Sequence, residues 1–100
     1  TDYIQVGNFQ LYTANNVLKS EHKTITLSEK ETKALEIFAK NINQVVEREK
    51  LMKEIWEDEG TVVISRNVDV LVSKLRKKLS DDNSFKFINV HGKGYKFVIE

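Results

Sequence analysis

One hundred residues suffice for one domain around one core, and 40% hydrophobic with 31% charged residues reads as soluble and globular. No apolar run approaches the roughly 18 residues of a membrane span, and the absence of cysteine excludes disulfides and thiolate metal sites, in keeping with a reducing cytoplasm. The net charge of +1 argues for no partner, but residues 1–60 hold 8 Lys and Arg against 11 Asp and Glu, whereas residues 61–100 hold 8 against 4, an asymmetry that hints at an anion-binding C-terminal half.

The chain opens on Thr1-Asp2-Tyr3-Ile4, without the basic region and long apolar stretch of a signal peptide. It also lacks an initiator Met, so it is expected to be part of something longer or to carry an altered start. Short apolar stretches follow at Tyr3–Val6, Phe9–Tyr12, Val17-Leu18 and Thr24–Leu27, separated by Gly7-Asn8 and Ala14-Asn15-Asn16, which are turn chemistry. They predict an antiparallel sheet of three or four strands. Ser28-Glu29-Lys30-Glu31 has the form of a capping box, and Ala34, Leu35, Ile37, Phe38 and Ile42 make the apolar stripe of a first helix that fades near Asn41-Ile42-Asn43. Val45-Val46 suggests a short strand. A second helix is expected from about Glu47 to Trp56, burying Leu51, Met52, Ile55 and Trp56 and ending at Glu57-Asp58-Glu59-Gly60, with Thr61–Ile64 as loop.

The third helix is expected to begin after Ser65 as N-cap and to run to Leu79. Val68, Val72, Leu75 and Leu79 recur at i, i+4, i+7 and i+11, which is one helical face. The opposite face carries Arg66, Val70, Ser73, Lys74 and Lys77, with Arg76 and Lys78 on the flanks. Such a face fits a DNA major groove, which admits a helix and where Arg or Lys reaches guanine or phosphate; the plainer reading is a solvated basic face. After a polar turn at Ser80–Ser84, Phe85–Val90 and Tyr95–Ile99 alternate around His91-Gly92-Lys93-Gly94 and predict a β-hairpin. Its basic residues His91, Lys93 and Lys96 can reach a phosphate backbone or a minor groove. Its apolar residues Phe87, Ile88, Val90 and Phe97 are expected to pack on the core. A basic helix preceded by a short helix and followed by such a hairpin has the order of a winged helix.

The pattern resembles the OmpR/PhoB-type effector domain of bacterial two-component response regulators over nearly the full chain. The residues that carry the resemblance are Leu27–Glu31, Val45–Leu51 with Trp56, Ser65–Val70, Leu75–Leu79 and Gly92–Phe97. It implies an α+β winged helix-turn-helix: an N-terminal antiparallel sheet over residues 1–27, three helices over 28–79 and a wing hairpin over 85–99. It implies a sequence-specific double-stranded DNA-binding domain of a cytoplasmic transcription factor. Arg66, Asn67, Val70, Ser73, Lys74, Arg76, Lys77 and Lys78 would lie on the recognition helix, and His91, Lys93, Tyr95 and Lys96 on the wing. Tyr95 would mainly pack at the core edge, its hydroxyl also within reach of a phosphate.

The resemblance also implies that Glu57, Asp58, Glu59 and Gly60 contact RNA polymerase, that a receiver domain lies upstream, and that two copies bind in tandem on direct repeats; no long exposed apolar stripe remains once the core is assigned, so a monomer is expected in the absence of DNA. Two positions depart from the family pattern. Leu71 stands where relatives often carry a polar residue near the DNA backbone, so one phosphate contact is expected to be lost. His91 stands where Arg is common, so a wing contact independent of pH is not expected.

His22 and His91 are the only histidines, and with no cysteine to join them no metal site is expected. No cofactor is implied, Gly92-Lys93-Gly94 is too short for a P-loop, and no Ser/His/Asp set or carboxylate pair suggests an enzyme. Two alternatives remain open: a winged-helix module that binds only protein, and the cytoplasmic DNA-binding domain of a membrane-anchored activator.

Overall fold

The computed structural model describes residues 2–56, 65–80 and 85–99. The polymerase-facing loop expected at Glu57–Gly60, the loop Thr61–Ile64 and most of the polar turn after the third helix lie outside them. Strands β1 (Ile4–Val6), β2 (Phe9–Tyr12), β3 (Val17–Lys19) and β4 (Thr24–Thr26) form a four-stranded antiparallel meander in sequence order. The turn between β1 and β2 has two residues, and Gly7 takes φ +61 at the first of them, the position where a type II′ hairpin turn needs glycine.

Helix α1 (Glu29–Lys40) starts where the sequence predicts. Ser28 Oγ accepts from the Glu31 amide at 3.1 Å and Glu31 Oε1 accepts from the Ser28 amide at 2.7 Å, so two otherwise orphaned donors are satisfied reciprocally. Strand β5 (Val45–Glu47) leads directly into α2 (Arg48–Trp56), so Glu47 belongs to the strand and not to the helix. Leu51 and Ile55 are buried, while Met52 and Trp56 are only partly so and pack against the core edge.

Helix α3 (Ser65–Lys78) is followed by the hairpin β6 (Phe85–Val90) and β7 (Gly94–Ile99). The hairpin is not two-stranded: β5 pairs with the other edge of β7, giving the order β5-β7-β6. Gly94 permits that pairing, because a Cβ there would run into the Val46 carbonyl oxygen and stand 2.9 Å from Glu47 Cα.

The core joins both sheets to the helices. Val6, Leu11 and Leu18 of the meander, Leu35 and Phe38 of α1, Leu51 of α2, Val68 and Leu75 of α3, and Phe97 of β7 are all sealed from solvent. Phe97 lies at the centre of an aromatic cluster, with ring centroids 4.8 Å from Phe87, 5.7 Å from Phe85 and 6.1 Å from Phe38. These spacings lie within the range of favourable offset and tilted ring contacts.

One expectation about packing is corrected. Ile88 is not in the core: it is 44% exposed, because Phe85 and Phe87 take the inward face of β6 and alternation turns Ile88 outward. Leu71 is buried in the core, since it lies three residues after Val68 and four before Leu75 on the packed side of α3.

Candidate nucleic-acid interface

Once Val68, Leu71, Val72 and Leu75 anchor α3 to the core, helical geometry dictates what faces outward. Arg66, Asp69, Val70, Ser73, Lys74 and Lys77 line one open concavity along the helix. Five of these residues are ones that the sequence places on the face opposite the apolar stripe. Three cations thus surround Val70, which is 47% exposed. Asn67 is half-buried and does not line the concavity.

The two flanking cations each make contacts within the protein. Arg76 Nη2 donates to the Phe87 carbonyl oxygen at 2.6 Å, tying α3 to β6. Lys78 Nζ lies 2.6 Å from Glu31 Oε1 and 3.0 Å from the Thr26 carbonyl oxygen, tying the end of α3 to the start of α1 and to β4. Burial by itself raises the pKa of the Glu31 carboxyl, but the hydrogen bond from Lys78 and those from Ser28 outweigh it and hold the carboxyl below its ordinary value.

The wing divides likewise. His91 and Lys93 are exposed in the turn, where Gly92 takes φ +75. Lys96 is half-buried on the face of β7 opposite Tyr95, between Val45 and Ile88 in register. Tyr95 is 5% exposed, and its hydroxyl donates to Asp69 Oδ1 on α3.

Arg48 Nε donates to the same oxygen at 3.2 Å, and the Arg48 guanidinium sits 5.2 Å from the centre of the Tyr95 ring. The Tyr95 hydroxyl bond is the largest influence on Asp69; with Arg48 it keeps the carboxyl below its usual range against the effect of burial. Neither Arg48 nor Asp69 has a role that sequence alone suggests. They are 21 residues apart and meet only in the folded chain, so no local pattern announces them.

An N-terminal meander, three helices and a hairpin with an outward basic helix face define a winged-helix domain of the kind found in response regulators. A family model for the C-terminal domain of transcriptional regulatory proteins matches residues 22–97, and the chain belongs to that family. Transcriptional regulatory protein RprY of Bacteroides fragilis is 36% identical over 94 residues, covering 94% of this chain and 39% of RprY. The chain therefore spans about two fifths of that relative's length.

Among solved structures, the DNA-binding domain of response regulator AdeR in complex with an intercistronic region superposes with a TM-score of 0.80 at 28% identity, covering 97% of this chain and 99% of that one. The Klebsiella pneumoniae RstA DNA-binding domain in complex with the RstA box gives 0.77 at 28% identity, covering 98% of each. Among the described residues no helix is long and apolar enough to cross a membrane.

Proposed function

We propose that this chain binds double-stranded DNA sequence-specifically as the output domain of a response-regulator transcription factor. The observation that carries the reading is the grouping of Arg66, Val70, Ser73, Lys74 and Lys77 on one outward strip of α3. A major groove accepts a helix of this kind, and side chains on such a strip meet base edges. His91 and Lys93 at the wing tip supply contacts to the adjacent minor groove or its phosphates. AdeR and RstA, solved with DNA, support this assignment.

Arg76, Lys78 and Tyr95 act differently in this proposal from what their residue types suggest: their polar atoms hold α3 in place, and the contact with DNA falls to the others. Lys96, on the far face of β7, serves the wing's outer surface. The remaining assignments follow the family. A receiver domain precedes this one in the full-length protein, and the protein works in the cytoplasm, without catalysis or cofactor. Glu57, Asp58, Glu59 and Gly60 touch RNA polymerase, and the domain is a monomer that pairs in tandem on direct repeats about one helical turn apart.

Selection from a randomised duplex library tests the reading, followed by titration of the selected and a scrambled duplex. A preference for the selected duplex of about a thousandfold or more, typical of specific binding, is expected for a tandem pair. Equal affinity for both duplexes refutes it.

A further inference from the structure

Three elements distant in sequence converge on one carboxylate. Asp69 lies in the first half of α3 and its side chain is 45% exposed, on the rim of the concavity that carries Lys74 and Lys77. Tyr95, at the base of the wing on β7, donates its hydroxyl to Asp69 Oδ1. Arg48, the first residue of α2, donates to the same atom and lies over the Tyr95 ring. The Arg48 backbone amide in turn donates to the Lys93 carbonyl oxygen at 3.2 Å, at the wing tip. Among the described residues, the other backbone bond that the structure gives the wing turn is local, from the Lys93 amide to the Val90 carbonyl oxygen at 3.0 Å.

We propose that Asp69 is a positioning residue that fixes the wing against α3, so that the helix and the Lys93 tip meet DNA as one rigid unit. The proposal rests on the DNA-binding reading above. Two physical consequences support it. A bare carboxylate on this rim would repel the phosphates that Arg66, Lys74 and Lys77 attract, and Arg48 neutralises it. A hairpin tip held only by its own turn samples many orientations, and every phosphate contact it makes must overcome that entropy. The β5–β7 pairing holds the base of the wing as far as Gly94, and the Arg48–Lys93 bond with the Asp69–Tyr95–Arg48 connection carries the restraint on to the tip before DNA arrives.

The test is a double-mutant cycle on this chain with a fluorescent mixed-sequence duplex, together with amide exchange in its absence. Tyr95→Phe removes one hydroxyl and keeps the ring that packs in the core. In the unmodified chain, Lys93→Ala is expected to weaken binding up to about eightfold at 0.1 M salt, the counterion-release worth of one phosphate, and to lower the salt slope by about one. In the Tyr95→Phe background the same change is expected to cost less than about twofold, because the tip no longer holds its phosphate.

Without DNA, Tyr95→Phe is expected to speed exchange of the Arg48 amide about tenfold while the Val72 and Leu75 amides keep their protection. Asp69→Asn repeats the cycle with the shape kept and the charge removed. Its general effect on affinity cancels, because Lys93→Ala is compared within one background. A Lys93→Ala loss of equal factor in all backgrounds overturns the proposal, even if the melting temperature falls, since a merely structural tyrosine would give that result. An unchanged Arg48 amide overturns the tether itself. If Lys93→Ala has no effect in the unmodified chain, the wing's part in DNA binding fails and the proposal fails with it, while the exchange data report separately on the tether.

Discussion

Lys78, the last residue of α3, places its ammonium 2.6 Å from Oε1 of Glu31, the residue that closes the capping box of α1. The glutamate side chain is 3% exposed and the lysine 37%. A cation that the sequence offers to DNA is thus the partner of a buried carboxylate, and it locks α3 to α1.

The first prediction follows from that pair. Lys78→Met is expected to destabilise the fold at neutral pH by about 1–3 kcal/mol, less than for a fully enclosed pair because the lysine is partly solvated. The sign with pH is fixed. The folded Glu31 pKa lies below its ordinary 4.5, so its stabilisation is present above that value and is lost as pH falls through the folded value. In Lys78→Met the burial effect loses its main opponent and the carboxyl prefers its proton. The gap between the two proteins should therefore be widest near pH 7 and shrink towards about pH 3. Urea unfolding at both pH values measures it; a gap that does not change with pH would mean the pair contributes nothing.

Two glycines of the wing differ in kind, and this gives the second prediction. Gly92 has φ +75 with open space around it, so Gly92→Ala should cost only the left-handed penalty of about 1 kcal/mol. Gly94 has ordinary dihedrals, but a methyl there meets the backbone of Val46 and Glu47. Gly94→Ala should cost more than about 2 kcal/mol, since β5 must part from β7. Thermal unfolding of the two variants ranks them, and a smaller loss for Gly94→Ala would show that β5 is not held there.

Local signals carried through from sequence to structure. The capping box at Ser28 and Glu31 involves neighbours only, and the Val68–Val72–Leu75–Leu79 stripe is periodic, so both were legible. What the sequence does not show is non-local. Arg76 and Lys78 lie on the flanks of α3, and a flank faces solvent or a neighbouring element according to what packs beside it; here β6 and α1 do. Ile88 shares a face of β6 with Lys86, so alternation places it outward, although its apolar character suggests the core. The pairing of Val45 with Lys96, which makes the wing three-stranded, joins residues about half the chain apart. Such a contact leaves no periodic trace.

The third prediction separates the free cations from those already engaged. If the domain neutralises about four to six phosphates, log K should fall with log salt at a slope of roughly −4 to −5. Lys77→Ala should lower that slope by about one, the mark of a lost phosphate contact. Arg76→Ala should leave it unchanged and instead lower stability by about 1 kcal/mol or more, because the Phe87 carbonyl loses a charged donor. Titrations at several salt concentrations, set beside melting curves, distinguish the two. A reduced slope for Arg76→Ala would return that residue to the DNA surface.

The last prediction concerns how the outward face of α3 reads bases. Val70 is 47% exposed and stands among Arg66, Ser73, Lys74 and Lys77. A lone apolar side chain on a surface needs no explanation in general, but on a helix that enters the major groove it has a specific match, the thymine C5-methyl group. Lys74 on the same strip can reach guanine O6 and N7. Lys74→Ala should therefore cost about 1–3 kcal/mol on the selected duplex and relax preference at one base pair, with little change on the scrambled duplex.

For Val70 the test is made on the DNA as well. Replacing individual thymines of the selected site by uracil deletes one methyl and leaves the base pairing intact. At one position this should weaken binding by about 0.8 kcal/mol, the worth of one buried carbon group. In Val70→Ala the penalty at that same position should largely vanish, while any penalty elsewhere persists. If Val70 is only a solvated surface residue, no uracil position will respond to its removal, and the reading face must lie elsewhere on the helix.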